Sequence, residues 1–196
     1  MTRQVAVIGM GYVGFPLACA FARHLPCVGF DVDAHRIEHL RQGRTESGFV
    51  EPALLGALLL SHEPASIDAA DTFVVAVPTP VDEAKRPCFD ALDSATILLG
   101  GAIAKAAARG QRPLVVYEST VYPGITEQRC APLLEASSGL RWRRDFDLAY
   151  SPERINPGDE EHSLEHVVKV VAADSPPSLE RVVELYAPIV PAGLFR

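Results

Sequence analysis

The sequence has no run of basic residues, and acidic residues outnumber basic ones. The 196 residues include 18 Lys and Arg against 25 Asp and Glu, which gives a formal net charge of −7 at pH 7. A surface of this sign repels the phosphate backbone of DNA or RNA. We therefore expect no nucleic-acid partner.

Long hydrophobic runs are also missing. An apolar stretch such as Leu54–Leu60 is far shorter than the roughly 20 residues that cross a bilayer as a helix. The first residues contain no uninterrupted apolar segment with a cleavage site, so no secretory signal is visible. We expect a cytoplasmic protein with no membrane partner.

The cysteines show no pairing pattern. The chain has four, without a CxxC pair and without regular spacing. This argues against a disulfide framework, and in a reducing cytoplasm the simplest expectation is four free thiols. Cys19 and Cys130 fall on predicted helix faces that point into the core.

A metal-binding pattern is weak as well. His162 and His166 stand four residues apart, with Glu161 and Glu165 beside them. A Pro-Gly pair just before them favours a loop, and no third ligand is evident. A solvated loop is the better interpretation, so we expect no metal.

What the sequence does contain is a regular alternation of strand and helix patterns. Valine-rich apolar runs bounded by turn residues predict buried strands at Val5–Ile8, Cys27–Phe30, Thr72–Val77, Leu114–Tyr117, Phe146–Tyr150 and Val167–Val171. Helices are predicted between them at Val13–His24, Ala34–Arg41, Glu51–Leu60, Ala91–Ala108, Thr126–Ala136 and Pro177–Leu185. Asp33, Asp90 and Ser175 lead into three of these helices as capping residues. The alternation predicts one α/β domain over residues 1–196, of the Rossmann type: a doubly wound, mainly parallel sheet with helices on both faces.

A glycine-rich turn connects the first predicted strand to the first helix. Its residues are Gly9, Met10, Gly11, Tyr12, Val13 and Gly14. In this GxGxxG pattern the first glycine permits a tight turn, the second lets backbone approach a pyrophosphate, and the third allows close helix packing. The free N–H groups and the positive dipole end of the helix face the phosphates. The turn predicts a dinucleotide site, the alternative being a turn that serves packing only.

Asp31 closes the second predicted strand and selects the cofactor. Its carboxylate can accept hydrogen bonds from both adenosine ribose hydroxyls. A 2′-phosphate about 4 Å away would meet a repulsion of about 4 kcal/mol per charge pair at an effective dielectric near 20. Arg36 is predicted either beside the adenine ribose or phosphate, or as a solvated helix arginine. The predicted cofactor is NAD rather than NADP.

Three further strand ends carry unusual residues, and ligands bind beyond the carboxyl ends of parallel strands. These are Val77, Pro78 and Thr79 after one strand, Ser119 and Thr120 after another, and Glu153, Arg154 and Asn156 after a third. Taken singly, they are typical of turns, helix caps and surface ion pairs. Their convergence at one edge beside the cofactor favours a functional site.

Five segments together resemble a known family. GMGYVGFPLA, GFDVDAHRI, VAVPTPVD, VYESTVYPGITE and YSPERINPGDEEH occur in this order. From about Val5 to the C-terminus the chain resembles the N-terminal NAD-binding domain of the UDP-glucose/GDP-mannose dehydrogenase family. ESTVYPG and SPERINPGD look most like the branch that oxidises UDP-N-acetylglucosamine or UDP-N-acetylgalactosamine, although the UDP-glucose branch is similar.

The resemblance implies an activity and roles for individual residues. Such enzymes oxidise the C6 alcohol of a UDP-sugar to a carboxylate in two NAD-dependent steps, with a cysteine holding the intermediate. Uronic acids of this kind point to polysaccharide biosynthesis, such as capsule or O-antigen. The implied site residues are Thr120 and Glu153 for catalysis, Thr79 and Ser119 at the cofactor, and Arg154 and Asn156, with Glu153, along the nucleotide sugar.

The sequence departs from the family in one large respect. The nucleophilic cysteine of the family lies in a GxxCxGxDP-like motif of a C-terminal substrate domain, after a long central helix, and neither occurs here. We expect the cofactor half of such an enzyme, inactive alone, whose missing C-terminal half acts in cis or in trans. Apolar surface exposed by that absence predicts a weak homodimer. The alternative is a non-catalytic NAD-binding module acting through a partner, which the retained Thr120 and Glu153 disfavour.

Overall fold

The computed structural model of the chain describes residues 3–45, 48–49, 57–152 and 167–196. Its strands are β1 (Val5–Ile8), β2 (Cys27–Phe30), β3 (Arg44–Thr45), β4 (Gly48–Phe49), β5 (Leu58–Ser61), β6 (Thr72–Val75), β7 (Leu114–Tyr117), β8 (Asp147–Tyr150), β9 (Lys169–Val170), β10 (Ala172–Ala173) and β11 (Leu194–Phe195). Its α-helices are α1 (Gly14–Ala22), α2 (Ala34–Arg41), α3 (Asp90–Ala108), α4 (Ala131–Ser138) and α5 (Pro176–Tyr186).

Seven of the strands form one sheet in the order β10-β8-β7-β6-β1-β2-β5. All neighbours are parallel except β10, which pairs antiparallel with β8 at one edge. The chain begins in the middle of the sheet and winds outward first to one side and then to the other. The predicted Rossmann-type, mainly parallel sheet is therefore confirmed.

Side chains on the two faces of the sheet belong to two separate cores. On β1, Val5 and Val7 face a core shared with α1, α2 and α5, whereas Ala6 and Ile8 face a core shared with α3 and α4. Because both faces are covered, the strands are apolar without alternation, and all four residues of β1 are buried. The prediction of helices on both faces is confirmed.

One predicted helix is wrong over the part that the structure describes. Residues 58–60 of the predicted helix Glu51–Leu60 lie in β5, which pairs with β2 along Cys27–Phe30, while residues 51–56 lie outside the described residues. A short leucine run has no periodicity that separates a buried strand from a buried helix. Pairing with the edge of β2 therefore accounts for the strand, and local propensity does not.

The last predicted strand is also different from the prediction. Val167–Val171 was expected as one strand, but β9 and β10 are two short strands that flank the buried Val171. β9 pairs with β11, whereas β10 pairs with β8, so the chain changes partners at Val171. The correct partner of β9 comes from the far C-terminus, which no local pattern indicates.

The predicted caps have mixed outcomes. Asp33 accepts hydrogen bonds from the backbone of His35 and Arg36, and Ser175 accepts one from Ser178, as expected of N-caps. Asp90, in contrast, is the first residue of α3 and makes no cap, because Phe89 stands at the capping position. Its charge still lies in the first turn, where it complements the helix dipole.

Helix α4 begins later than predicted. Thr126–Cys130 forms a π-helical turn, and the α-helix proper starts at Ala131. Pro132 stands in the first turn of α4 and has no N–H to continue the α-helical ladder backwards. The wider turn before it is the local consequence.

Helix α3 is the one helix of the described residues that is long and apolar enough to span a membrane by length and composition. Leu92, Leu99 and Ile103 are each 0% exposed and belong to the core beneath the sheet. These side chains place one apolar side of α3 in the core.

The packing of α3 on α4 gives a matched pair of glycine substitutions. A Cβ at Gly100 would lie 2.2 Å from Ser137 Oγ and 2.7 Å from its backbone carbonyl carbon, whereas a Cβ at Gly101 meets nothing within 4 Å. We expect Gly100→Ala to lower the free energy of unfolding by about 1–3 kcal/mol. Gly101→Ala should raise it by about 0.5–1 kcal/mol, because alanine restricts the unfolded chain. Urea denaturation measures both, and equal effects would contradict the packing described.

Candidate functional site

The glycine turn lies at the carboxyl edge of the sheet, and its three glycines are required for different reasons. Gly9 has φ +94°, and a Cβ there would lie 2.9 Å from the carbonyl oxygen of Ala76. A Cβ at Gly14 would lie 1.8 Å from the carbonyl oxygen of Gly9, so α1 packs directly on the turn. At Gly11 nothing lies within 4 Å. This open space is where a pyrophosphate can approach the backbone.

Asp31 lies beside the turn and is only 5% exposed. Its Oδ2 accepts hydrogen bonds from the backbone N of Met10 at 2.8 Å and from Arg36 Nη1 at 3.0 Å, and its Oδ1 accepts one from Asp33 N at 2.9 Å. The carboxylate thus fixes the glycine turn as well as the end of β2. Sequence reasoning missed this second task, since the contact joins residues 21 apart.

Arg36 is placed against Asp31 by the first turn of α2. The ion pair has an N···O distance of 3.0 Å, and the arginine side chain is 40% exposed. The guanidinium therefore lies at the adenosine end of the predicted site. Its predicted contact with the cofactor stays a prediction.

The other residues of the turn contribute in different ways. Met10 is 2% exposed, and its Sδ would lie 2.6 Å from a Cβ at Gly29, so its side chain is packed in the core and only its backbone faces the site. Tyr12 is 58% exposed, and Val13 is partly buried at the start of α1. Tyr12 is the large side chain of the turn that solvent reaches.

Two hydroxyl groups join the loops that follow β6 and β7. Ser119 Oγ donates to the carbonyl oxygen of Val77 at 2.6 Å, and Thr79 Oγ1 donates to that of Thr120 at 2.7 Å. Ser119 is 5% exposed, whereas Thr120 is exposed. Pro78 stands exposed between the two linked residues of its loop. The structure therefore brings these predicted residues together in one hydrogen-bonded unit.

This unit also touches the glycine turn. A Cβ at Gly9 would lie 3.1 Å from Val77 Cγ1. The ends of β1, β6 and β7 consequently form one continuous edge. Glu153, Arg154 and Asn156, predicted for the next strand end, lie outside the described residues, as do His162 and His166 with Glu161 and Glu165.

A buried polar cluster behind this edge was missed by sequence reasoning. Lys169 Nζ lies 2.8 Å from Glu118 Oε2, and Tyr186 OH donates to Glu118 Oε1. A lysine in the middle of the valine run VVKVV was the signal that a buried partner exists. Its partner was not identifiable, since Glu118 is 51 residues away.

The cysteines are free, and three of the four are buried. Burial raises the pKa of Cys19 to about 11, of Cys27 to about 12 and of Cys130 to about 11. The expectation that Cys19 and Cys130 pack in the core is confirmed. Cys88 is partly buried in the loop after β6, where its backbone N donates to the carbonyl oxygen of Pro80 at 2.7 Å.

The arrangement of these features matches one family of known proteins. Residues 3–190 match the UDP-glucose/GDP-mannose dehydrogenase family, NAD binding domain. The chain belongs to this family. Its fold is that of an NAD-binding domain, and NAD is its cofactor.

Relatives in this family agree in the extent of the match. The UDP-N-acetyl-D-glucosamine 6-dehydrogenase of Pseudomonas aeruginosa is 43% identical over 97% of this chain and 44% of its own length. Protein CapL of Staphylococcus aureus is 39% identical over 100% of this chain and 45% of its own length. The crystal structure of an NDP-N-acetyl-D-galactosaminuronic acid dehydrogenase from Methanosarcina mazei Go1 has a TM-score of 0.83 at 30% identity, over 98% of this chain and 43% of that one. The chain thus spans less than half the length of the relatives it matches.

Substitutions at the glycines of this NAD-binding domain should have separate effects on stability and on NAD binding. Gly11→Ala should not lower the free energy of unfolding, because its Cβ meets nothing within 4 Å. It should weaken NAD binding about tenfold or more, since overpacking a contact costs on the order of 1–3 kcal/mol. Gly14→Ala should instead destabilise the fold, because of the contact with Gly9. Urea denaturation and calorimetric titration of NAD check both, and tight NAD binding by Gly11→Ala would contradict the assigned approach.

The burial of the cysteines leads to a prediction about their chemical labelling. Since the thiolate is the reactive form, the three buried cysteines with raised pKa should resist iodoacetamide at mildly alkaline pH in the folded chain. Cys88 should be the first residue modified, as mass spectrometry of proteolytic peptides would show. A Cys88→Ser chain serves as the control and should stay unmodified until denaturant is added. Rapid modification of Cys130 in the folded control would be incompatible with its burial.

Proposed function

We propose that this chain is the cofactor half of an NAD-dependent UDP-sugar 6-dehydrogenase, which converts a UDP-N-acetylhexosamine or UDP-glucose to the uronic acid. The observation that carries the proposal is the pair of loops after β6 and β7, which are joined by the hydrogen bonds of Ser119 and Thr79. We call this unit the linked edge. Ser119 and Thr79 join two strand ends beside the glycine turn, and Thr120 stands exposed on that edge. The relative from Pseudomonas aeruginosa, named as a UDP-N-acetyl-D-glucosamine 6-dehydrogenase, supports this substrate class.

The residues around the glycine turn would hold the cofactor. The backbone at Gly11 would approach the pyrophosphate, and Asp31 would accept the adenosine ribose hydroxyls. The negative charge of Asp31 disfavours a 2′-phosphate, which supports NAD over NADP. When bound, NAD supplies a hydride acceptor, and each of the two oxidations would reduce one molecule of NAD.

The residues at the next strand ends would act on the sugar. Thr120 would orient the attacking water, and Glu153 would exchange protons near the reacting carbon. Arg154 and Asn156, with Glu153, would lie along the nucleotide sugar. These roles rest on the family pattern, since 153–156 lie outside the described residues.

The nucleophilic thiol would come from a second half, in cis or in trans. Burial raises the pKa of Cys19, Cys27 and Cys130, which suits packing and opposes nucleophilic attack. Val81 and Tyr122 are 64% and 56% exposed on the loops of the same edge. Such apolar side chains are suited to packing against a second half, and to weak self-association in its absence.

The proposal predicts binding without turnover. In calorimetry, the chain should bind NAD more tightly than NADP, and it should reduce no NAD when a UDP-sugar is added. Asp31→Asn keeps the shape of the side chain but removes its charge, so NAD affinity should fall about tenfold and the preference over NADP should shrink.

Three outcomes would contradict parts of the proposal. NADP binding as tight as NAD would overturn the role of Asp31. Oxidation of a UDP-sugar by the chain alone, at the rate of a complete enzyme, would overturn the need for a second half. NAD binding with no turnover after a C-terminal half is supplied would favour a non-catalytic NAD-binding module. UDP-N-acetylglucosamine, UDP-N-acetylgalactosamine and UDP-glucose should each be tested to identify the sugar.

A further inference from the structure

Three buried polar side chains have no part in the proposed chemistry and meet directly behind the loop that carries Ser119 and Thr120. Glu118 is 1% exposed, Lys169 is 5% exposed and Tyr186 is 0% exposed. We call these three residues the Glu118 triad. Ionisable groups are rarely buried to this extent unless they are paired.

The contacts of the Glu118 triad engage both oxygens of the carboxylate. Lys169 Nζ lies 2.8 Å from Oε2, and the Tyr186 hydroxyl donates to Oε1. The ammonium group also stands 5.6 Å from the centre of the Tyr186 ring. That ring packs edge-on against Phe21 of α1, with centroids 5.4 Å apart. The carboxylate is thereby held from two directions by groups that are themselves fixed.

The triad joins three separate elements at one point. Glu118 follows β7, Lys169 begins β9 and Tyr186 ends α5. A buried ion pair has no general advantage in stability over well-packed apolar residues, because desolvation offsets the attraction. What such a pair adds is geometric specificity, because charge-assisted hydrogen bonds fix the relative positions of the two groups. The Glu118 triad is therefore better explained by a role in positioning neighbouring groups than by a contribution to stability alone.

The geometry that the triad fixes is that of the linked edge. Glu118 N and Ser119 N both donate to the carbonyl oxygen of Val75, at 2.8 and 3.3 Å. The next bonds are those from Ser119 Oγ to Val77 and from Thr79 Oγ1 to Thr120. A displacement of Glu118 would therefore be transmitted to both loops.

Next to Lys169, the chain is hydrogen-bonded to the end of the neighbouring strand β8. The carbonyl oxygen of Val170, the residue after Lys169, accepts a hydrogen bond from Ser151 Oγ at 2.9 Å. Ser151 follows β8 and is 0% exposed. The triad thus lies between the strand ends that carry the residues proposed to meet the sugar and the cofactor.

We infer that Glu118, Lys169 and Tyr186 are positioning residues that set the linked edge against the nicotinamide half of NAD. This inference rests on the proposed function. In a doubly wound sheet the two halves bind the two nucleotides separately. Asp31 marks the β1–β2 side as the adenosine half, so β6 and β7 serve the nicotinamide half. Loss of the triad should weaken contacts to nicotinamide and spare those to ADP-ribose.

The test compares NAD with ADP-ribose, which lacks only the nicotinamide ring. Lys169→Met alone removes the ammonium group that lies 2.8 Å from the buried Glu118 carboxylate, so it should be strongly destabilised. Glu118→Gln combined with Lys169→Met removes both charges, and its stability in urea should return towards that of the parent chain. For this double variant we expect NAD affinity to fall about 2- to 10-fold, as for one or two weakened hydrogen bonds, and ADP-ribose affinity to stay unchanged.

A pair of Tyr→Phe variants tests the inference without disturbing the charges. Tyr186→Phe removes the hydrogen bond to Glu118 and should shift the ratio of NAD to ADP-ribose affinity in the same direction by a smaller factor. Tyr117→Phe is the matched control. Its hydroxyl is equally buried, 3.1 Å from Thr96 Oγ1, and it stands next to Glu118 in the chain but in the opposite core. The control should lose stability and keep the affinity ratio of the parent.

Two results would overturn the inference. One is that neither affinity changes in the double variant or in Tyr186→Phe, and the other is an equal loss of NAD and ADP-ribose affinity, which is typical of a general structural effect. Failure of the proposed function would appear differently. It would be visible in the parent chain, as absent NAD binding or as a lack of UDP-sugar oxidation with a second half, whatever the variants do.

Discussion

The cofactor edge depends on the close approach of α1 to the end of β1. Gly14 packs on the carbonyl oxygen of Gly9 with no room for a Cβ, and Gly9 in turn packs on Ala76. This contact brings the start of α1 to the carboxyl edge and places the backbone of Met10 against Asp31. A larger residue at either glycine would move the helix, the turn and the acid together. Steric closeness of backbone is therefore the first constraint, and the polar contacts follow from it.

The two halves of the edge are built by different physical means. On the β1–β2 side, the site is open because glycines have no side chain there, and the carboxylate of Asp31 accepts hydrogen bonds from the surrounding backbone. On the β6–β7 side, side chains create the site through hydroxyl links between loops and a buried ion pair behind them. The first half suits a ligand part that all dinucleotides share, the adenosine diphosphate. The second suits the reacting part, where small changes of angle matter most.

What the sequence allowed us to predict was local. The glycine turn, the acid closing β2 and the caps at Asp33 and Ser175 depend on neighbours a few residues away, and the alternation of strands and helices follows from hydropathy. The errors in strand assignment arise where distant segments compete. Residues 58–60 became a strand because β2 had a free edge, and β9 separated from β10 because β11 offered a partner. For the same reason the pairing of Glu118 with Lys169 was out of reach, since a sequence shows a buried charge more readily than its partner.

The chemistry of the side chains suggests how the work is divided in the function proposed here. Burial raises the pKa of the three core thiols, so they stay uncharged and serve as packing groups. A nucleophilic thiol needs the opposite environment, one that favours the thiolate and admits substrate. Building both into one core would place conflicting demands on the same packing. In the function proposed here, the sheet edge therefore holds and orients the cofactor, and the reactive thiol belongs to a second unit.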